Sequence, residues 1–194
     1  MVSTLMQSRQ TILPKRLTTP GPDADQLHVI LEAAASAPDH GQLLPWRFVL
    51  VPAVGRDRLA DVFGSALQER DPQASPDQVR QAREKAYRSP ILLLVIVDAR
   101  RGDPQIDLHE RIVSAGCAVQ NILLMATALG YGSALTSGKA LKSAGLRSLF
   151  GVEEGEHALC FLSIGTVLSC KHAPVRPLVA DYVRSLGTDV VSGN

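Results

Sequence analysis

One short connection in this sequence carries both a histidine and the only tryptophan of the chain, in APDHGQLLPWRFVLV at residues 37–51. The residue types alone leave His40 two roles. It could contact a ligand at a helix-to-strand turn, or it could bond a neighbouring backbone carbonyl. Trp46 begins an apolar run, and we expect it to pack in the core because an indole buries a large apolar area.

A second stretch, ALGYGSALTSGKA at residues 128–140, has the glycine content of a nucleotide-binding loop. It departs from the dinucleotide pattern, because Leu135 stands where the third glycine belongs, and the glycine spacing also fails the phosphate-loop pattern. Gly130 is therefore expected to end a helix. The alternative is that residues 136–138 let the backbone approach a ligand at the end of a strand.

The other candidate ligands do not indicate a metal site. The five histidines form no pair four residues apart and no cluster with the cysteines. Cys117, Cys160 and Cys170 are far apart and odd in number, so we expect no disulfide framework, a reducing compartment and a cytoplasmic location. A Cys–His nucleophile pair stays open, although Cys117 lies in an apolar stretch where a thiol is usually inert.

Length and charge narrow the class of protein. The 194 residues suit one domain, residues 1–194, and 45% hydrophobic with 20% charged residues is ordinary globular composition. The net charge of +1 gives no reason to expect nucleic acid or an acidic membrane surface. The most apolar stretch, residues 112–130, contains Ser114, Gln120 and Asn121 and indicates a buried core helix, so we expect no membrane span.

Basic residues near the two ends of the chain could bind a small phosphate. The candidates are Arg9, Lys15, Arg16 and Arg176. A phosphate site requires two or three of them to converge, with arginine preferred for its forked geometry. Otherwise they are ordinary surface charges.

Helix and strand signals are interspersed along the chain, which favours an α+β or α/β sandwich. Capping boxes at residues 23–26 and 75–78 begin two helices, and Pro38 stops the first. We expect further helices ending near residue 8 and spanning about 55–70, 106–129 and 140–150. Strands are expected in WRFVLV, ILLLVIVD, YGSALTS and HALCFLSIG, with ILLLVIVD central because it is apolar on both faces.

Four segments in order carry a family resemblance: SRQT, AAASAPDHGQLLPWRFVLV, SAGCAVQNILLMATALGYGSALTSG and IGTV. Together they resemble the nitroreductase family of FMN-dependent oxidoreductases, in particular its small minimal branch, over about residues 5–170. The resemblance implies an α+β fold, a three-layer sandwich with a central mixed sheet flanked by helices. It also implies an intertwined homodimer with FMN at the interface, touched by both chains.

The resemblance also assigns residues to the cofactor and to the electron donor. It implies FMN contacts from Arg9, Gln10, Thr11, Ser36, His40, Thr136, Ser137 and Gly138. It places NADH or NADPH near Ala126, Thr127, Ala128, Leu129, Gly130 and Tyr131.

One departure from the family concerns the phosphate. Gln10 stands where relatives often have a second arginine, so one positive charge is missing. The side chains that could replace it are Lys15, Arg16, Lys139 and Arg176.

The implied activity is that of an oxidoreductase that takes a hydride from NAD(P)H and reduces a small nitroaromatic or quinone-like acceptor by two electrons. The flavin would carry the chemistry, so no side chain need act as a nucleophile. Two alternatives remain on the same scaffold. One is a non-catalytic protein that binds or stores FMN, and the other is an enzyme that fragments flavin or dehalogenates its substrate.

Overall fold

The computed structural model describes residues 2–169 and 175–186, which form one five-stranded sheet with helices on both faces. The strands are β1 (Leu17–Thr18), β2 (Trp46–Leu50), β3 (Ile91–Asp98), β4 (Gly132–Thr136) and β5 (Glu156–Val167). The α-helices are α1 (Val2–Ser8), α2 (Ala24–Glu32), α3 (Arg56–Arg70), α4 (Pro76–Glu84), α5 (Leu108–Ala128), α6 (Ala144–Phe150) and α7 (Val179–Tyr182). Short 3-10 turns lie at Pro14–Arg16, Ala33–Ser36, His40–Gln42, Ala53–Gly55, Lys85–Tyr87 and Lys139–Lys142.

The longest strand, β5, lies at the centre of the sheet. It pairs antiparallel with β3 on one side and with β1 and β4 on the other, and β2 pairs antiparallel with the outer side of β3. A parallel bridge joins Thr11 to Ser133 beside β4. The strand order therefore places β2 and β4 on opposite sides of the β3–β5 pair.

The two faces of the sheet bury separate apolar clusters. Alternate residues of β3 point to opposite faces, so Leu93 and Val95 pack with α5 whereas Leu94 and Ile96 pack with α3 and α6. This confirms the prediction of a central strand that is apolar on both faces. It also confirms the three-layer sandwich. We call the cluster that packs against α5 the α5 cluster. Trp46 is 6% exposed and lies in it, which confirms the prediction that Trp46 packs in the core.

The local sequence signals locate most helix ends. Both predicted capping boxes form, with Asp23 accepting from the amide of Gln26 and Ser75 from that of Gln78. The single helix predicted over residues 140–150 is wrong, because the Ser143 hydroxyl accepts from the amide of Leu146 and begins α6 as a separate helix. Ser143 itself has extended backbone angles, which interrupt the helical path. Cys170 lies outside the described residues.

Helix α5 contains most of the apolar stretch at residues 112–130, for which the sequence predicted a core helix and no membrane span. Within residues 2–169 and 175–186 it is the one helix long and apolar enough to cross a membrane. Its face bearing Ala115, Val119 and Ile122 packs in the core against β3 and β5. A buried core helix can be as apolar as a membrane-spanning helix, and the sequence predicted that this helix would pack in the core.

Candidate functional site

The turn that carries His40 has an unusual backbone. The φ angles are +71° at Gly41, +52° at Gln42 and +49° at Leu44. Residues other than glycine seldom adopt positive φ. The Asp39 carboxylate accepts a 2.6 Å hydrogen bond from the amide of Leu44 and closes the turn. Residues held in such conformations concentrate at functional sites, so this turn is a candidate ligand contact.

Helix α5 fixes the position of this turn. His40 Nδ1 lies 2.8 Å from Oε2 of Glu110, and the Ser114 hydroxyl donates a 2.5 Å hydrogen bond to the carbonyl of Pro38. The partner of His40 is thus a carboxylate and not the backbone carbonyl that the sequence left open. The His40 side chain is 69% exposed, so its outer face is free to meet a ligand or another chain.

A buried arginine anchors the loop that precedes α5. Arg111 is 1% exposed and donates to the carbonyls of Ile106 at 2.9 Å, Arg101 at 2.5 Å and Asp103 at 2.7 Å. Asp107 begins the helix, and its carboxylate accepts hydrogen bonds from the backbone amides of Glu110 and His109, which lower the pKa of that carboxyl. The first turn of α5 is therefore firmly held, and Glu110 with it.

A cavity of about 650 Å³ lies on the other face of the sheet. Its floor includes Leu92, Phe161 and Ser163, and the helices α3 and α4 form part of its wall. Thr136, Ser137, Gly138 and Lys139 form another part, where β4 ends. A Cβ atom at Gly138 would meet nothing within 4 Å, so the wall is open there. Cavities of this size commonly hold small-molecule ligands or cofactors.

The segment Arg9, Gln10 and Thr11 runs beside β4 toward this cavity. The amide of Ile12 donates a 3.0 Å hydrogen bond to the carbonyl of Ser133, next to the parallel bridge at Thr11. Arg9 and Gln10 are half-buried and Thr11 is exposed, and residues 13–15 then line the cavity. The Ser133 hydroxyl is buried and has no hydrogen-bond partner within the described residues. The fold thus brings the two predicted FMN segments, residues 9–11 and 136–138, to one edge of the sheet.

Three of the four candidate replacements for the missing arginine lie close to these segments. Lys15 and Lys139 line the cavity, and Nη2 of Arg176 donates a 2.8 Å hydrogen bond to the carbonyl of Arg9. Arg16 is not among the side chains that line the described cavity. Its carbonyl accepts from the amide of Leu168 beside the sheet.

Ser36 and His40 do not join the other predicted FMN residues within one chain. They precede β2, which lies three strand spacings from β4, about 14 Å away. His40 also packs on α5, on the face of the sheet opposite to the cavity. Ser36 is exposed, as His40 is. A single chain therefore presents the predicted site as two separate halves.

The predicted nicotinamide segment ends α5. The amide of Gly130 donates to the carbonyl of Thr127 at 3.0 Å, and that of Tyr131 to Ala126 at 2.8 Å, with φ of +84° at Gly130. This is the glycine helix end that the sequence predicted. The Tyr131 hydroxyl donates to Gln26 at 2.6 Å, while Ala128 and Leu129 are exposed. The segment does not line the cavity, and its role toward NAD(P)H stays a prediction.

Among the cysteines and histidines that the structure describes, the geometry supports no catalytic pair. Burial raises the pKa of the Cys160 thiol to about 12, so it is not a thiolate at neutral pH. Cys117 packs at the border of the α5 cluster. In the described part of the chain no three His, Cys, Asp or Glu side chains come together as metal ligands.

Three cationic side chains in the cavity wall were not predicted from the sequence. Arg70 lies at the end of α3, and Lys85 and Arg88 lie beyond α4. Each looks like ordinary surface charge in the sequence. Their convergence depends on how α3 packs against α4, which no local pattern encodes.

The chain is similar to known proteins over most of its length. The profile of the nitroreductase family matches residues 6–166. The "Putative NAD(P)H nitroreductase" of Haemophilus influenzae is 32% identical over 163 residues, covering 84% of this chain and 86% of that protein. The "Putative NAD(P)H nitroreductase YdjA" of Escherichia coli K12 is 33% identical over 153 residues, covering 78% and 81%.

Solved structures share the fold at lower identity. A nitroreductase-like family protein from Bacillus cereus superposes with a TM-score of 0.82 at 19% identity, covering 97% of each chain. A nitroreductase with bound FMN from Bacteroides fragilis gives 0.65 at 22% identity, covering 98% of each chain. Iodotyrosine deiodinase bound to FMN and 3-iodo-L-tyrosine gives 0.72 at 20% identity, covering 97% of this chain and 100% of that one. The family profile and the curated relatives agree, and the chain belongs to the nitroreductase family.

Proposed function

We propose that this protein is an FMN-dependent oxidoreductase that passes two electrons from NADH or NADPH to a small acceptor, such as a nitroaromatic or a quinone. The observation that carries the proposal is that the segment containing residues 9–11 runs parallel to β4 and continues, at residues 13–15, into the wall of a cavity of about 650 Å³ that residues 136–138 also line. Bound FMN would supply the electron-transfer chemistry, and the protein would supply its position and electrostatic surroundings. We also propose a single domain over residues 1–194 and a cytoplasmic location.

The residues at this edge of the sheet fit an FMN phosphate and its ribityl chain. A phosphate monoester carries about two negative charges at neutral pH. Arg9, Lys15, Lys139 and Arg176 are the nearby cations that would neutralise it. Hydroxyl groups of Thr136 and Ser137 offer hydrogen bonds, and the open space at Gly138 leaves room for a close approach to the backbone.

We propose that an intertwined homodimer completes the site. The two halves lie on opposite faces of one sheet, so a partner's Ser36 and His40 would have to cover the cofactor held by residues 9–11 and 136–138. The outer face of α5 beside His40 supports this arrangement, since Val113 is 65% exposed although it is apolar. Exposed apolar side chains also recur along residues 175–186, and such surfaces commonly mark an interface with another chain.

A shared site links FMN binding to association. Because a ligand that binds only the dimer stabilises it by mass action, we expect added FMN to shift a monomer–dimer equilibrium toward dimer and to raise the melting temperature. Sedimentation of apo and FMN-loaded samples at several concentrations measures this. A protein that stays monomeric while binding one FMN tightly would contradict the shared site.

Gln10 stands where relatives often have a second arginine, so placing an arginine there is expected to increase the affinity for FMN. Gln10→Arg should tighten FMN binding by about 1 kcal/mol, because a partly exposed phosphate would gain a charge-assisted contact, and added salt should erode the gain. Equilibrium titration of the apoprotein with FMN at low and high salt measures both effects. Gln7→Arg, an exposed site on α1, adds the same charge elsewhere and should leave FMN binding unchanged. Equal affinities for the two variants would count against the phosphate assignment.

Turnover separates this function from FMN storage. The FMN-loaded enzyme should oxidise NADH or NADPH in proportion to added nitroaromatic or quinone. A storage protein would show no such turnover of donor and acceptor. Release of halide from a halogenated acceptor, or consumption of the flavin itself, would instead indicate the dehalogenating or flavin-fragmenting activity.

A further inference from the structure

Five cationic side chains line the cavity, and no acidic side chain of the described residues does. They are Lys15, Arg70, Lys85, Arg88 and Lys139. None of the five forms an ion pair with a carboxylate in the described part of the chain. By contrast, two arginines of α4 that do not line this cavity are paired, Arg83 with Asp61 at 2.5 Å and Arg80 with Asp77 at 2.9 Å. The cavity thus concentrates positive charge in a protein whose net charge is only +1.

The cofactor accounts for only part of this charge. The FMN phosphate carries about two negative charges, and four other cations are proposed to neutralise it: Lys15 and Lys139 of the cavity wall, and Arg9 with Arg176, which bonds the carbonyl of Arg9. Arg70 ends α3, and Lys85 and Arg88 follow α4 directly, so all three belong to the part of the wall where the α3–α4 helical hairpin meets the cavity. We call these three residues the hairpin cations. The proposed position of the FMN phosphate is near other cations, so no negative group of FMN is assigned to these three.

The hairpin cations lie next to an apolar surface. Phe63 and Leu67 of α3 line the same cavity, and the rings of Phe63 and Phe161 meet edge to face with centroids 5.6 Å apart. Gln78 and Gln81 of α4 add amide donors to this wall. A cavity with an aromatic floor and a cationic rim matches a flat ring that bears a negative group.

Resting on the proposed function, we propose that the acceptor reduced at this site is an aromatic or quinone-like organic anion, with a carboxylate or sulfonate held by the hairpin cations. The ring would lie against the apolar side chains, and the anionic group would face Arg70, Lys85 and Arg88. The cations would select the acceptor by charge and would take no part in the electron transfer.

The kinetic test compares 4-nitrobenzoate with 4-nitrobenzamide, which are similar in size and differ in charge. In an Arg70→Gln/Lys85→Gln double variant, the ratio of kcat/KM for the anion to kcat/KM for the amide should fall about tenfold, since charge-assisted contacts would be lost. Arg58→Gln/Arg101→Gln removes two exposed charges outside the cavity and should change that ratio by less than about twofold. Comparing ratios cancels the intrinsic difference in reactivity between the two acceptors.

A binding measurement gives a readout that does not depend on turnover. Titration of the oxidised, FMN-loaded enzyme with benzoate and benzamide should show tighter binding of benzoate. This preference should weaken at high salt and in the Arg70→Gln/Lys85→Gln double variant, which we call the cavity variant. An unchanged preference in the cavity variant would overturn the inference. A cavity variant that binds FMN more weakly but keeps its preference for benzoate would also overturn the inference, since Arg70 and Lys85 would then serve the cofactor. If neither nitro compound is reduced, the proposed function fails, and the benzoate titration still decides this inference.

Discussion

Replacement of Arg111 by methionine is expected to lower the free energy of unfolding by about 3–4 kcal/mol, among the larger effects of a single substitution. Arg111 is 1% exposed, and its guanidinium serves backbone carbonyls of the loop before α5. Methionine retains much of the volume but donates no hydrogen bond, so those carbonyls would lose their partner. Urea denaturation followed by circular dichroism measures the change.

A neighbouring arginine provides the control. The Arg101 side chain is exposed, and only its backbone carbonyl takes part in the Arg111 network. Arg101→Met should therefore change the unfolding free energy by no more than about 0.5 kcal/mol. A loss below about 1 kcal/mol for Arg111→Met would show that the buried network contributes little to stability. Because the network holds the start of α5, the same variant should also loosen the contact between Glu110 and His40.

Replacement of Arg9 by alanine is expected to raise the dissociation constant for FMN by roughly 10- to 100-fold. Hydrogen bonds to charged groups contribute about 1.5–3 kcal/mol, and the cofactor phosphate would lose one arginine at a position where Gln10 supplies no second charge. Fluorescence titration of the apoprotein with FMN measures the dissociation constant.

Arg16→Ala is the matched control, since it removes the same charge from the same segment, and Arg16 lies outside residues 9–11, which the family resemblance assigns to FMN. It should bind FMN with nearly the wild-type affinity. If Arg9→Ala and wild type bind FMN equally well, Arg9 does not contact the phosphate. A large effect of Arg16→Ala instead would move the phosphate site along the segment toward β1.

Local patterns predicted the parts of the fold that local interactions decide. The capping boxes at Asp23 and Ser75, the glycine end of α5 at Gly130 and the doubly apolar strand β3 depend on residues a few positions apart. The packing of Trp46 was predictable for a similar reason, since it begins an apolar strand. The helix over residues 140–150 was predicted wrongly because Ser143 begins a new helix by capping it.

The remaining features depend on contacts between distant segments. Burial of Arg111 was not predictable, because arginine is rarely buried and its partners are carbonyls of a loop with no sequence signature. The separation of His40 from Thr136 follows from the strand order, which places β2 and β4 on opposite sides of the β3–β5 pair. The hairpin cations converge only because α3 packs against α4. The candidate site could thus be assigned by family resemblance, while its division into two halves required the fold.

The most direct measurement mixes the FMN-loaded protein with NADH or NADPH in the absence of oxygen and follows the visible absorbance of the oxidised flavin. We expect a yellow protein whose absorbance is lost within seconds with at least one donor and returns when a nitroaromatic or quinone acceptor is added. Absorbance that persists with both donors would contradict an oxidoreductase and leave a protein that only binds FMN. Failure to take up FMN at all would contradict the cofactor assignment itself.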